Sequence, residues 1–162
     1  MEDHLDRVLA QWHSVRPELD VSPMAVIGRL SRAADRVGSR ISATLAEHDL
    51  DAATFDVLAT LLRSGSPHRI NPAELARDAM ISTSAVAQRL NKLETRGLVS
   101  RESNPYDGRG TLVALTASGQ ALVESALPHH LATERAIVEV LTAEERVVLA
   151  GLLTRIEGAA GR

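Results

Sequence analysis

Residues 82–97, STSAVAQRLNKLETRG, bring small hydroxyl, amide and cationic side chains together with no aromatic among them. At about 100° per residue on a helix, Val86, Leu90 and Leu93 fall on one side and form an inner face. Ser84, Gln88, Asn91 and Thr95 fall opposite, with Lys92 beside them. Hydroxyl, amide and ammonium groups suit base edges and phosphates in the major groove of DNA, and the lack of bulk allows close approach. Ser82, Thr83, Ser84, Gln88, Asn91 and Lys92 are therefore the candidate DNA contacts. Arg89 lies only ~60° from the inner stripe. Its guanidinium suits an inward contact, to a ligand or a carboxylate, better than a base.

Such a helix needs a frame, and the flanking sequence predicts one. NPAE at 71–74 is a helix start, with Asn71 as cap, Pro72 at the first position and Glu74 reaching back. That helix is expected to run to about Ala79. A bend at Met80-Ile81 then leads to Ser82 as the next cap, and Gly97 closes the second helix in the left-handed way. Two short helices joined by a tight turn make a helix-turn-helix. LVSRES and TLVALT come next as short β-type runs around NPYDGRG, whose Pro, Asp and glycines mark a hairpin tip, that is, a wing. Asp107, Gly108 and Arg109 form its end. Arg109, flanked by glycines, is expected in the minor groove, with Asp107 orienting it or shaping the turn.

Helices are expected on both sides of this unit. Residues 2–15 place Leu5, Val8, Leu9, Trp12 and Val15 on one face, and a second helix from Pro23 to about Glu47 carries Val26, Ile27, Leu30, Ala33, Ala34, Val37, Ile41 and Leu45 as a buried stripe. Asp51 caps a third helix through Leu62, and RSGSPHRI ends it. Helical pattern returns from Thr116 to Val140, with Pro128 expected to kink or split it. TAEE at 142–145 opens a last helix. The fold class expected is mainly α with a small β-hairpin wing: a winged helix-turn-helix at 51–116, between dimerisation helices at 1–50 and 117–162. Helices from both ends are expected to pack across a two-fold axis onto a second copy, giving a homodimer.

Charge agrees with this division. The net charge is −3, but residues 63–110 hold 8 basic and 5 acidic side chains while both flanking segments are acidic. A local basic face is what phosphate binding requires. Cysteine is absent, which removes disulfides, thiol redox chemistry and cysteine-ligated metals. His4, His13, His48, His68, His129 and His130 show no HxxxH or HExxH spacing. Solvated histidines are expected in preference to a zinc site assembled across the fold. With no P-loop, GxGxxG, GxSxG or HExxH, neither an enzyme nor a cofactor is expected. No apolar run approaches the ~20 residues of a membrane span. The acidic, amphipathic start does not match a secretory signal, so the expectation is a cytoplasmic protein without a membrane partner.

FDVLATL at 55–61, the long run from Ala73 to Leu122 and LTAEERVVLAGLL at 141–153 together resemble the MarR family of dimeric winged-helix transcription regulators. The most specific stretch is GLVSRESNPYDGRG with LTASG after it. The resemblance implies a homodimer on a pseudo-palindromic double-stranded operator, most often as a repressor. QWHSVRPELD at 11–20 resembles the added first helix of the urate-responsive, PecS-like subgroup. By that resemblance Trp12, Asp56, Arg89 and Arg101 take part in ligand response. The effector would be a small aromatic anion, such as urate, stacked on Trp12 and held by Arg89. A different metabolite or an antibiotic remains open as effector, and Asp56 is left to pair with either Arg101 or Arg89. A helical module acting only through protein partners would instead have no DNA affinity.

Overall fold

The computed structural model describes residues 4–104 and 110–161. Tyr106, Asp107, Gly108 and Arg109, the residues of the expected wing tip, lie outside them. The chain forms two compact units, Met1–Arg40 and Ile41–Arg162. This division differs from the expected boundary at residue 50, because the end of the second helix packs with the DNA-binding lobe: Leu45 is fully buried in the same core as Leu58 and Val123.

The first unit holds α1 (His4–Val15) and most of α2 (Ser22–Ala46). Arg29 Nη2 on α2 donates to Asp6 Oδ1 on α1 at 2.6 Å. Within the single chain the apolar stripes of α1 and α2 stay largely uncovered. All of α1 is described and none of it is buried, while Leu45 is the one buried residue of α2. Val26 and Ile27 are more than half exposed. Helical periodicity identifies an apolar face but not its cover, and a 12-residue helix cannot cover a 25-residue one.

The second unit continues with α3 (Ala52–Arg63), β1 (Arg69–Ile70), α4 (Pro72–Asp78), α5 (Thr83–Thr95), β2 (Val99–Ser103), β3 (Thr111–Leu115), α6 (Ala117–Val138) and α7 (Ala143–Ala160). Side-chain caps set the helix starts, satisfying amide groups that a helix leaves unpaired. Asp51 and Thr54 form a capping box on α3, Asn71 and Glu74 on α4, and Thr142 and Glu145 on α7. Between α4 and α5, Met80 takes a positive φ of 54°, and Ile81 N donates back to Ala76 O at 2.9 Å. Gly97, at φ 67°, ends α5.

The sheet has the order β1-β3-β2 and is antiparallel. The wing hairpin pairs Val99 with Leu115, Arg101 with Val113 and Ser103 with Thr111. Asn104 N donates to Gly110 O at 2.8 Å beyond the last pair. Strand β1 is not signalled by the sequence. Arg69 and Ile70 pair with Ala114 and Val113, and two residues are too short to show alternation inside a segment rich in turn formers. Thr116 caps α6. In the next turn, a Cβ on Gly119 would lie 1.9 Å from the Leu98 carbonyl oxygen. The glycine of LTASG is thus required for α6 to seat against the start of the wing.

Pro128 does not split α6, which runs as one helix from Ala117 to Val138. Pro128 and Glu124 both lie on the exposed side, so water can satisfy the Glu124 carbonyl that proline leaves without its helix donor. His130, its side chain 15 % exposed, departs from the solvated expectation, while His129 stays exposed. His130 packs on Phe55 with ring centroids 4.6 Å apart, and its Nε2 lies 3.2 Å from Glu134 Oε1. His48 Nε2 and His129 Nδ1 share a 2.7 Å hydrogen bond. Adjacent histidines on a helix point in different directions, and each finds a separate partner.

The core of this unit joins Leu45, Phe55, Leu58, Leu61, Leu75, Val86, Leu90, Leu93, Val99, Val113 and Val123. It draws on α2, α3, α4, α5, both wing strands and α6. Helix α7 contributes nothing to it: all of its residues are described and none is buried.

Candidate DNA-binding face

Helix α5 stands on Val86, Leu90 and Leu93, each almost fully buried, so the residue-per-turn geometry dictates what the helix shows outward. Ser82, Thr83, Ser84, Gln88, Asn91 and Lys92 are all exposed. At the N-terminus, Ser82 Oγ accepts from Ala85 N at 3.2 Å and shares a 3.0 Å hydrogen bond with Ser84 Oγ. The first turn therefore offers hydroxyls and free amide groups, a combination that receives phosphate oxygens well. Gln88 lies one turn on, at the crest of the exposed side.

Both flanks of α5 are tied to its neighbours. On the α3 side, Lys92 Nζ lies 2.5 Å from Asp51 Oδ2, and Arg89 Nη1 lies 3.7 Å from Asp56 Oδ2. On the wing side, Arg101 of β2 donates to Glu94 Oε2 at 2.6 Å and to Asn91 Oδ1 at 2.7 Å. The structure thus settles the alternative left open for Asp56: it faces Arg89, while Arg101 turns to α5 itself. Both of these arginines are assigned to ligand response by resemblance. Arg89 is the more enclosed, with a side chain 24 % exposed against 43 % for Asp56.

Asp51 has two tasks. Its Oδ1 accepts from Thr54 N at 2.7 Å and from the Thr54 hydroxyl at 2.8 Å, closing the cap of α3, while Oδ2 takes Lys92. The Lys92 hydrogen bond is the largest influence on its acidity. With the Thr54 amide and hydroxyl helping, it outweighs partial burial and lowers the carboxyl pKa from 3.8 to about 2. The sequence identifies Asp51 as a cap and Lys92 as a DNA-facing cation. It holds no signal for their meeting, since the two are 41 residues apart and belong to different periodic patterns. The same is true of Glu94, which no local pattern singles out.

Trp12 is in the first unit, on α1, with 40 % of its surface exposed; Asp56, Arg89 and Arg101 are in the second. Asp107, Gly108 and Arg109 lie outside the described residues. Among the described residues, no three His, Asp or Glu side chains converge as metal ligands, and no helix is long and apolar enough to cross a membrane.

Comparison with known proteins supports this architecture independently. A family model described as MarR family matches residues 48–110. The chain is 37 % identical over 150 residues to the HTH-type transcriptional regulator PecS of Dickeya dadantii, covering 93 % of this chain and 90 % of that protein. It is similar in structure to a mutant MarR from Escherichia coli complexed with operator DNA, with TM-score 0.72 and 27 % identity over 90 % of this chain and 96 % of that one. It is also similar to Bordetella bronchiseptica BpsR, described in terms of regulation of its DNA binding by 6-hydroxynicotinic acid, with TM-score 0.73 and 29 % identity over 82 % and 92 % of the two chains. A winged helix-turn-helix with a polar recognition helix, and 37 % identity to PecS over an alignment spanning 93 % of this chain, identify this protein as a member of the MarR family of DNA-binding transcriptional regulators, not an enzyme.

Proposed function

We propose that the protein is a cytoplasmic homodimeric repressor that binds a pseudo-palindromic duplex operator and is released from it by a small aromatic anion. The observation that carries the DNA-binding part is α5: an apolar side fully buried in its own lobe, and an opposite side made of Ser82, Thr83, Ser84, Gln88 and Asn91. With one such helix in the major groove from each protomer, half-sites fall about one turn (~10 bp) apart. Arg109, with Asp107 and Gly108 at the wing tip, is assigned to the neighbouring minor groove. Dimerisation is supported by the apolar surface that the single chain leaves uncovered on α7 and α2.

The ligand-response part rests on Arg89. Its contact to Asp56, at 3.7 Å, is longer than a hydrogen bond, so a bound anion can compete for the guanidinium and weaken the tie between α3 and α5. Trp12 and Arg101 join the site by resemblance to the urate-responsive subgroup. That the structurally similar BpsR is described as regulated by an aromatic acid favours this ligand class; urate belongs to it too. Such a ligand acts by binding the DNA-free form more tightly than the operator-bound form.

The test is selection of bound duplexes from a random pool, without ligand and with urate or 6-hydroxynicotinate. A palindromic winner displaced by either compound supports the whole reading. A winner displaced by neither keeps the regulator and discards this ligand class. No enrichment at low salt by a folded protein refutes the DNA-binding assignment. In variants, Trp12→Phe should retain operator binding and blunt release; Arg89→Ala should blunt release too, at a modest cost in operator affinity because it also removes the contact to Asp56.

A further inference from the structure

We propose that Lys92 is a positioning residue for operator binding: its ammonium group locks α5 onto the N-terminus of α3 through Asp51 and does not neutralise a DNA phosphate. The proposal rests on the DNA-binding reading above, and it reverses the role that an exposed lysine on a recognition helix is given by default.

Three observations converge on it. First, Asp51 cannot follow Lys92 outward. Its other oxygen is held by the Thr54 amide at 2.7 Å and the Thr54 hydroxyl at 2.8 Å, and it caps α3 whether or not Lys92 is present. A phosphate that captured Lys92 would therefore approach a carboxylate fixed in place, and like charges repel. Second, Lys92 and Arg89 are three residues apart, hence neighbours on one flank of α5, and both face α3 carboxylates, Asp51 at 2.5 Å and Asp56 at 3.7 Å. Two contacts in register make a seam along the helix. Third, the opposite flank is tied as well, by Arg101 to Glu94 and Asn91. A helix held on both flanks has one angle at which its Ser84 and Gln88 crest meets a groove, and Lys92 helps to set it.

The experiment is operator affinity against salt concentration for the wild type, Lys92→Met, Asp51→Asn, Lys92→Arg and the double variant Asp51→Asn/Lys92→Met. Each lost phosphate contact lowers the slope of log affinity on log salt by about 0.9. The expected result for Lys92→Met is a roughly two- to fivefold loss of affinity, as befits a half-exposed ion pair, with the slope of the wild type. The double variant should lose no more than Lys92→Met alone, and Lys92→Arg should restore binding. A slope lowered by about 0.9 per protomer in Lys92→Met would overturn the proposal. So would additive effects in the double variant, because Lys92 would then act without Asp51. A folded wild type that binds no duplex would sink both this proposal and the DNA-binding reading, and it would be seen before any variant is compared.

Discussion

Helices α5 and α7 begin with side-chain caps, Ser82 on one and the Thr142–Glu145 box on the other, yet the chain treats them oppositely. The apolar stripe of α5 is narrow, and Val86, Leu90 and Leu93 vanish into a core shared with α3 and α4. Helix α7 is apolar around most of its middle, VVLAGLL, the pattern of a helix buried on every side. It nevertheless leaves Val147 74 %, Val148 60 % and Leu152 45 % exposed. One helix finds its cover within its own chain, and the other does not. The helix proposed to read DNA thus rests on a self-sufficient lobe, and the apolar excess of α7 is left for the association proposed above.

The largest effects should come from breaking the self-sufficient side. Leu90→Ala removes a fully buried side chain from the lobe core and should cost ~2–5 kcal/mol, read as a lower urea midpoint with little change in slope. Gly119→Ala should be comparably damaging, since its Cβ would meet a backbone oxygen rather than a movable side chain. On α7 the same logic predicts a different readout. Leu152→Glu should change little inside one protomer and convert a dimer to monomers in light scattering, with operator affinity falling as the second half-site contact is lost. If Leu152→Glu stays dimeric and Leu90→Ala melts like the wild type, the contrast between the two helices is wrong.

The same contrast explains what can be read in the sequence. Caps such as Asn71 with Glu74, the Gly97 stop and the inner stripe of α5 are local patterns, and the structure places them as expected. The cover of Val26 and Ile27 is not legible in the sequence, because periodicity marks an apolar face without saying which chain covers it. Strand β1 escapes it because two residues carry no period. The ties on α5 are beyond reach for another reason. Asp51 with Lys92, and Arg101 with Asn91, each join residues whose own local patterns are already explained, as cap, DNA contact or wing strand, and Glu94, the other partner of Arg101, belongs to no local pattern. Only the approach of α3 and β2 to opposite flanks of α5 brings them together.

The wing-side tie leads to a prediction about which base α5 reads. An arginine only donates, so the atom of Asn91 that faces Arg101 at 2.7 Å is its oxygen. Bidentate recognition of adenine by an asparagine needs both the oxygen and the amide hydrogens. Arg101 takes one of that oxygen's two lone pairs and turns the amide toward itself, so Asn91 presents chiefly its donors and should favour base edges that accept, those of guanine or thymine. Arg101→Met should free the oxygen and shift the preferred base at that position toward adenine, by ~1 kcal/mol of discrimination or somewhat more. Duplex selection on the two proteins measures it, and an unchanged preference would show that Arg101 does not set the amide.

The smallest expected effect lies on the other flank and is visible in acid. Asp51 has its carboxyl pKa lowered from 3.8 to about 2 in the folded chain, so its ionised form favours the fold. That contribution is complete above pH 3.8, where the unfolded chain is ionised as well, and disappears as pH falls through about 2. Asp51→Asn keeps an N-cap acceptor and deletes the charge facing Lys92. The variant should be less stable than the wild type at neutral pH by no more than ~1 kcal/mol, since both side chains are about half exposed and screened by salt. The two denaturation curves should converge as pH drops from about 4 toward 2. No such term is tied to the apolar middle of α7, so Leu152→Ala and the wild type should keep a constant separation over the same range. A gap for Asp51→Asn that stays constant across that interval would place the stabilising charge elsewhere in the lobe.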